Sequence, residues 1–106
     1  MGLELPFFPG QLVVVVLREP RERVWGRLLG LEAPGIAVRG LDLQAWDDVL
    51  GLVRRGEGDQ VSLGTRFFPM HRLEAFYLDE ATSGVPSLAE DFHRRTGADP
   101  EEFLAD

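Results

Sequence analysis

The sequence predicts a mainly β domain: a small, five-stranded, bent antiparallel barrel with one inserted helix and a short C-terminal helical tail. Three observations lead there. Leu12-Val13-Val14-Val15-Val16-Leu17 is apolar at both parities, the pattern of a strand covered on both faces. Short runs bounded by turn residues follow it at the spacing of consecutive hairpins. After Asp42 the apolar period changes from two to that of a helix.

The first strand is expected over residues 11–18, announced by Pro9-Gly10 and ended by Glu19-Pro20. The second, over 23–31, sets Val24, Gly26, Leu28 and Gly30 on one face and Trp25, Arg27, Leu29 and Leu31 on the other. Two glycines on one face let a long strand bend sharply. Ala33-Pro34-Gly35 is a turn, and the third strand covers 36–40. Trp46, Val49, Leu50 and Val53 then form the apolar stripe of a helix near 43–55. Asp42 can cap its start, Arg54 and Arg55 suit its end, and Gly56 can stop it. Gly51 inside it costs about 1 kcal/mol against Ala. Two further strands are expected over 65–70 and 72–78, where Phe67, Phe68, Phe76 and Tyr77 supply rings for packing.

The end of the chain shows two helix starts. Ser87-Leu88-Ala89-Glu90 is a capping box whose helix can stop at Gly97, and Asp99-Pro100 pairs an N-cap with a first-turn Pro. Such short helices are unstable alone in water, so Leu88, Phe92 and Phe103 are expected to anchor them, with Leu104, on the barrel or a neighbouring subunit. Docking on residues 12–17 would explain why that strand is apolar on both faces. The expected organisation is a barrel over residues 1–80 and an acidic helical tail over 81–106.

Of the 106 residues, 44% are hydrophobic and 27% charged, an ordinary globular balance. The absence of Cys excludes disulfides, thiolate metal sites and cysteine nucleophiles. Met1-Gly2-Leu3-Glu4-Leu5-Pro6 lacks the pattern of a leader, and the six-residue aliphatic run is too short for a bilayer, so a cytoplasmic protein without membrane contact is expected. The net charge is −7; residues 79–106 hold eight acids and two arginines, residues 1–78 ten acids and nine arginines. No basic face for phosphate stands out.

Five short strands, the second long and bent at glycine, describe an SH3-like barrel, and two stretches resemble the Sm-like family. Residues 12–40, with Val24-Trp25-Gly26-Arg27-Leu28-Leu29-Gly30 and then Ile36-Ala37-Val38, are similar to the first Sm motif. Phe67-Phe68-Pro69-Met70-His71-Arg72-Leu73-Glu74-Ala75-Phe76 resembles the second, with a histidine between its short strands as in the Hfq-type RNA chaperones. The resemblance implies a ring-forming barrel whose fourth strand pairs with the fifth of the next copy, and an RNA contact at His71 with Arg72 beside it. The departures are specific. The turn after the second strand is Glu32-Ala33-Pro34-Gly35, without an amide to read a base; Met70 stands where a Lys is usual; Pro6-Phe7-Phe8-Pro9 replaces an N-terminal helix. Pro69 lacks the N–H of a strand ladder, so it either blocks such pairing or marks the strand's end.

Catalytic chemistry has little to stand on. His71 and Glu74 face opposite ways on a strand, and His93 lies in an acidic helix, so no metal site is expected. The acid pairs Asp47-Asp48, Asp79-Glu80, Glu90-Asp91 and Glu101-Glu102 read as solvated or helix-capping charges. No nucleophile elbow or phosphate loop is present. Arg18, Arg21, Arg23 and Arg27 could contact phosphate, but Glu19 and Glu22 interleave and make internal ion pairs the simpler account. The expectation is a non-enzymatic binding or assembly module without cofactor, which homo-oligomerises or docks a protein. The alternative is an Sm-like RNA-binding protein with a divergent base pocket, contacting RNA through His71, Arg72 and Arg27.

Overall fold

A computed structural model describes residues 5–105; residues 1–4, on which the expectation of no leader partly rests, and residue 106 lie outside the described residues. Five strands, β1 (Leu12–Leu17), β2 (Glu22–Glu32), β3 (Gly35–Asp42), β4 (Gly64–Pro69) and β5 (Leu73–Leu78), form one antiparallel sheet in the order β4-β3-β2-β1-β5. Helix α1 (Trp46–Arg54) is inserted before β4, and α2 (Leu88–Thr96) and α3 (Pro100–Phe103) follow β5. The fold is mainly β, as expected. The sheet stays open, with β4 and β5 as its edges and a 3-10 turn, Met70–Arg72, between them.

The two parities of β1 lie in two different cores. Val13, Val15 and Leu17 join Val24, Leu28, Ile36, Val38 and Phe68 on the inner face. Phe7, Leu31, Leu73 and Phe76 close this cluster, so both edges of the sheet curl around it. On the outer face, Val14, Trp25 and Leu41 pack with Val49 and Leu50 of α1, Phe92 of α2, and Leu104. The helices are therefore the second cover that an apolar strand of both parities requires.

The tight bend of the sheet depends on Gly26 facing Gly40 across β2 and β3. A Cβ on Gly26 would run into the Arg39 carbonyl, and one on Gly40 into that of Trp25. The alternation expected along the second strand fails beyond Leu28. A bulge between Leu28 and Gly30 inserts a residue, so Leu31 packs inward instead of sharing a face with Trp25. The inserted helix also starts later than expected. Asp42 Oδ1 accepts from the Gln44 N–H at 2.8 Å and caps a 3-10 turn, Leu43–Ala45, leaving Trp46 to open α1. Gly56, at φ 77°, stops it.

Pro69 is the last residue of β4. Met70 N–H donates to the Pro34 carbonyl at 2.8 Å. By alternation, Phe68 and Arg66 direct their N–H groups to β3, while Thr65, Phe67 and Pro69 face the free edge. Pro69 thus marks the strand's end and removes one donor from the exposed edge.

Gly26→Ala is expected to lower unfolding free energy by about 2 kcal/mol through overpacking against backbone. Gly30→Ala, where a Cβ meets nothing within 4 Å, should stay within about 0.5 kcal/mol of the parent. Urea melts of the two variants provide the comparison.

Candidate functional site

The three candidate contact residues lie in two places. His71 and Arg72 sit in the 3-10 turn beside the Leu17 end of β1, whereas Arg27 pairs with Leu12 at the opposite end. Arg72 holds the β1–β2 connection: it donates to the carbonyls of Arg18 (3.1 Å) and Pro20 (2.8 Å) and to the Glu22 carboxylate (3.1 Å). Arg18 answers through the His71 carbonyl at 3.0 Å. Arg27, on the outer face, donates to the carbonyl and the carboxylate of Glu101 at 3.0 and 2.9 Å. Of the three, His71 alone has a side chain that is exposed and makes no hydrogen bond among the described residues.

The tail anchors are placed on the outer sheet face. Phe92 is fully buried, stacked 5.8 Å from Trp25 and tilted against Trp46 at 6.3 Å and Phe103 at 5.0 Å. Trp25 and Trp46 meet edge to face at 5.1 Å. Leu88 and Phe103 are half-buried, whereas Leu104 is fully buried. A buried indole needs an acceptor for its N–H, and this chain has no Asn. Two carboxylates fill the role: Trp25 Nε1 donates to Asp79 at 3.0 Å, and Trp46 Nε1 to Asp91 at 3.1 Å.

Asp79 does more than satisfy an indole. It also accepts from the backbone N–H groups of Leu88 (2.7 Å) and Ala89 (2.8 Å), so one carboxylate ties β2 to the first turn of α2. Ser87 and Glu90 complete a reciprocal capping box there, and hydrogen bonding from the Ser87 backbone N–H, with the Ser87 hydroxyl second, holds the Glu90 carboxyl below its ordinary range. At Asp91, desolvation raises the pKa, but bonds from Trp46, Arg94 and Arg95 together outweigh it and bring the value below normal. Arg39 donates to the carbonyls of Leu104 (3.2 Å) and Leu63 (3.0 Å), anchoring the end of α3. The sequence marks Asp79 and Asp91 only as solvated or helix-capping charges; Asp79 does cap α2, but the indole bonds of both, and the role of Arg39, come from contacts between distant segments that no spacing announces.

Among the described residues, no group of three or more His, Asp or Glu side chains could hold a metal ion, and no helix is long and apolar enough to cross a membrane. The exposed large apolar side chains include Phe67 on β4, Tyr77 on β5, Met70 between them and Val85 in the connection to α2. An open groove of about 510 Å³ lies over Val14, beside Tyr77 and Trp46. No family model, curated protein or solved structure matches the chain.

Phe92→Ala is expected to cost about 3–5 kcal/mol, against less than about 0.5 kcal/mol for the exposed Arg94→Ala. Acid sensitivity follows from Asp91. Its folded pKa lies below the unfolded value of about 3.9, so its stabilisation is complete well above that pH and is lost as pH falls through the folded value. Asp91→Asn should therefore flatten the acid limb of a stability–pH profile without altering its slope above neutrality.

Proposed function

We propose that this chain is a non-catalytic assembly module that self-associates by pairing the β4 edge of one copy with the β5 edge of the next. The observation behind the reading is the open sheet: β4 and β5 each have one side without a strand partner among the described residues, and Phe67 on β4 is 57% exposed. Long exposed edges carrying large apolar side chains are a standing invitation to strand addition.

The backbone parity supports a definite geometry. Asp79 N–H donates to the Leu12 carbonyl at 2.9 Å, so Tyr77 and Ala75 direct their N–H groups to β1 and Phe76 and Leu78 direct theirs outward. On β4 the outward donors are Thr65 and Phe67. Pairing the outward sets antiparallel puts Phe67 opposite Phe76, with both side chains on one side of the joint sheet. On the receiving copy that side is the inner face, where Phe76 already meets Phe7 at 4.6 Å. Phe67 would then leave water and extend a neighbour's core. The Sm-like resemblance implies the same pairing of strands, and the position of Pro69 at the end of β4 leaves Thr65 and Phe67 free to make it.

The RNA-binding alternative has less support. Arg72 and Arg27 are committed to internal bonds, and the turn at 32–35 offers no amide to a base edge. The cysteine-free composition suits a reducing, cytoplasmic setting.

Native mass spectrometry on the freshly purified full chain should show one discrete oligomer. Phe67→Asp should shift it to monomer while preserving the circular dichroism spectrum. A parent protein that is monomeric at about 50 μM, well above the Kd of about 1 μM expected for a standard-sized interface, would refute the pairing. Oligouridine should bind no tighter than nonspecifically, with a Kd above about 1 μM at physiological salt; tight binding lost in His71→Ala would favour the RNA alternative.

A further inference from the structure

The helical layer does not cover the outer sheet face completely. Between β5 and the segment leading into α2, the groove of about 510 Å³ remains open, with Val14 and Leu43 at its base and Trp46 and Tyr77 among its walls. Another wall is the turn at residues 82–85, where Thr82 and Val85 exchange backbone hydrogen bonds of 3.0 and 2.8 Å. Ser83 and Gly84 take the positive φ angles, 46° and 80°, that so tight a reversal needs. The turn holds Val85 63% exposed, and Tyr77 is 47% exposed, so two large apolar groups stand in water at one concavity. Apolar side chains collected at a concave site with polar margins mark a place for a partner.

The polar margin indicates which partner. Asp79, Glu80 and Arg23 line the groove. Asp79 accepts from Trp25, Leu88 and Ala89, all neutral donors, and so keeps its charge. Glu80 is exposed and makes no hydrogen bond or ion pair among the described residues. The wider field has the same sign, because residues 79–106 hold eight acids and only two arginines. Two aromatic rings beside carboxylates form a surface that attracts cations through both charge and ring quadrupole. An anionic ligand would meet two carboxylates and one guanidinium.

We infer that this groove binds an extended segment of a partner protein carrying an arginine or lysine next to an aliphatic residue. The stem of the basic side chain lies along Tyr77 and Trp46 with its head at Glu80, and the aliphatic neighbour packs against Leu43 and Val85. The inference does not rest on the copy-to-copy pairing. That pairing uses the edge of β5 and its inner-face ring Phe76, whereas the groove lies on the outer face.

Two capped pentapeptides, Leu-Arg-Leu-Arg-Leu and Leu-Glu-Leu-Glu-Leu, titrated into the full chain test it by amide shift mapping and tryptophan fluorescence. The arginine peptide should bind, move the amides of Tyr77, Glu80 and Val85, and weaken as salt is raised. Glu80→Gln should weaken it about fivefold, the scale of one exposed charge or cation–π contact, with an unchanged melting temperature. Equal binding of both peptides, no binding of either, or shifts confined to other surfaces would overturn the inference. Self-association that disappears in Glu80→Gln, without peptide binding, would assign the groove to a second copy and overturn it as well. Native mass of the unliganded chain reports separately on the strand pairing, so failure of one reading is distinguishable from failure of the other.

Discussion

The structure depends on covering both faces of β1. Val13 and Val15 on one side, and Val14 on the other, are at most 2% exposed, so this strand cannot lie at a surface. A curled five-stranded sheet has only one interior, and the outer face must find another partner. Within the chain, α1, α2 and the end of α3 provide it. Trp25 shows how strict the requirement is: its neighbours in β2 serve the inner core, yet it is fully buried from the outside.

That cover is held by a small set of polar ties as well as by area. The fully buried Trp25 and the half-buried Trp46 each donate the indole N–H to a carboxylate, and Asp79 passes the tie on to the first turn of α2. Arg27 and Arg39, directly paired across β2 and β3, both donate to backbone carbonyls at the α3 end of the chain. A cation at a helix C-terminus opposes the helix dipole and satisfies carbonyls without helical partners. In sequence Arg27 resembles a nucleic-acid contact, and Arg39 carries no such signal. In the fold both act as struts, half-buried between the sheet and the end of the chain.

Local chemistry was legible in the sequence; contacts between distant segments were not. The doubly apolar β1, the glycine that permits the bend, the helix stripe from Trp46 to Val53 and the two tail caps each follow from residues within a few positions of one another. The bulge after Leu28 was hidden, because an inserted residue leaves composition unchanged while reversing every later parity, and Leu31 moved inward as a result. The late start of α1 was equally hidden, since Asp42 can cap a 3-10 turn or a helix with the same side chain. Phe103 and Leu104 are both apolar, and only the docked geometry makes Leu104 the more deeply buried. The groove draws on Val14, Arg23, Trp46 and residues 77–88, a combination that no spacing announces.

Sheet and helical tail share the outer core around Phe92 and should therefore open as one cooperative unit. Native-state hydrogen exchange measures this directly, because cooperative units open together and independent ones separately. The slowest amides of α2, around Phe92 to Thr96, should open with the same free energy and denaturant dependence as those of Val13 to Val16 in β1. Exchange of α2 through a separate, low-energy opening, with β1 still fully protected, would contradict it.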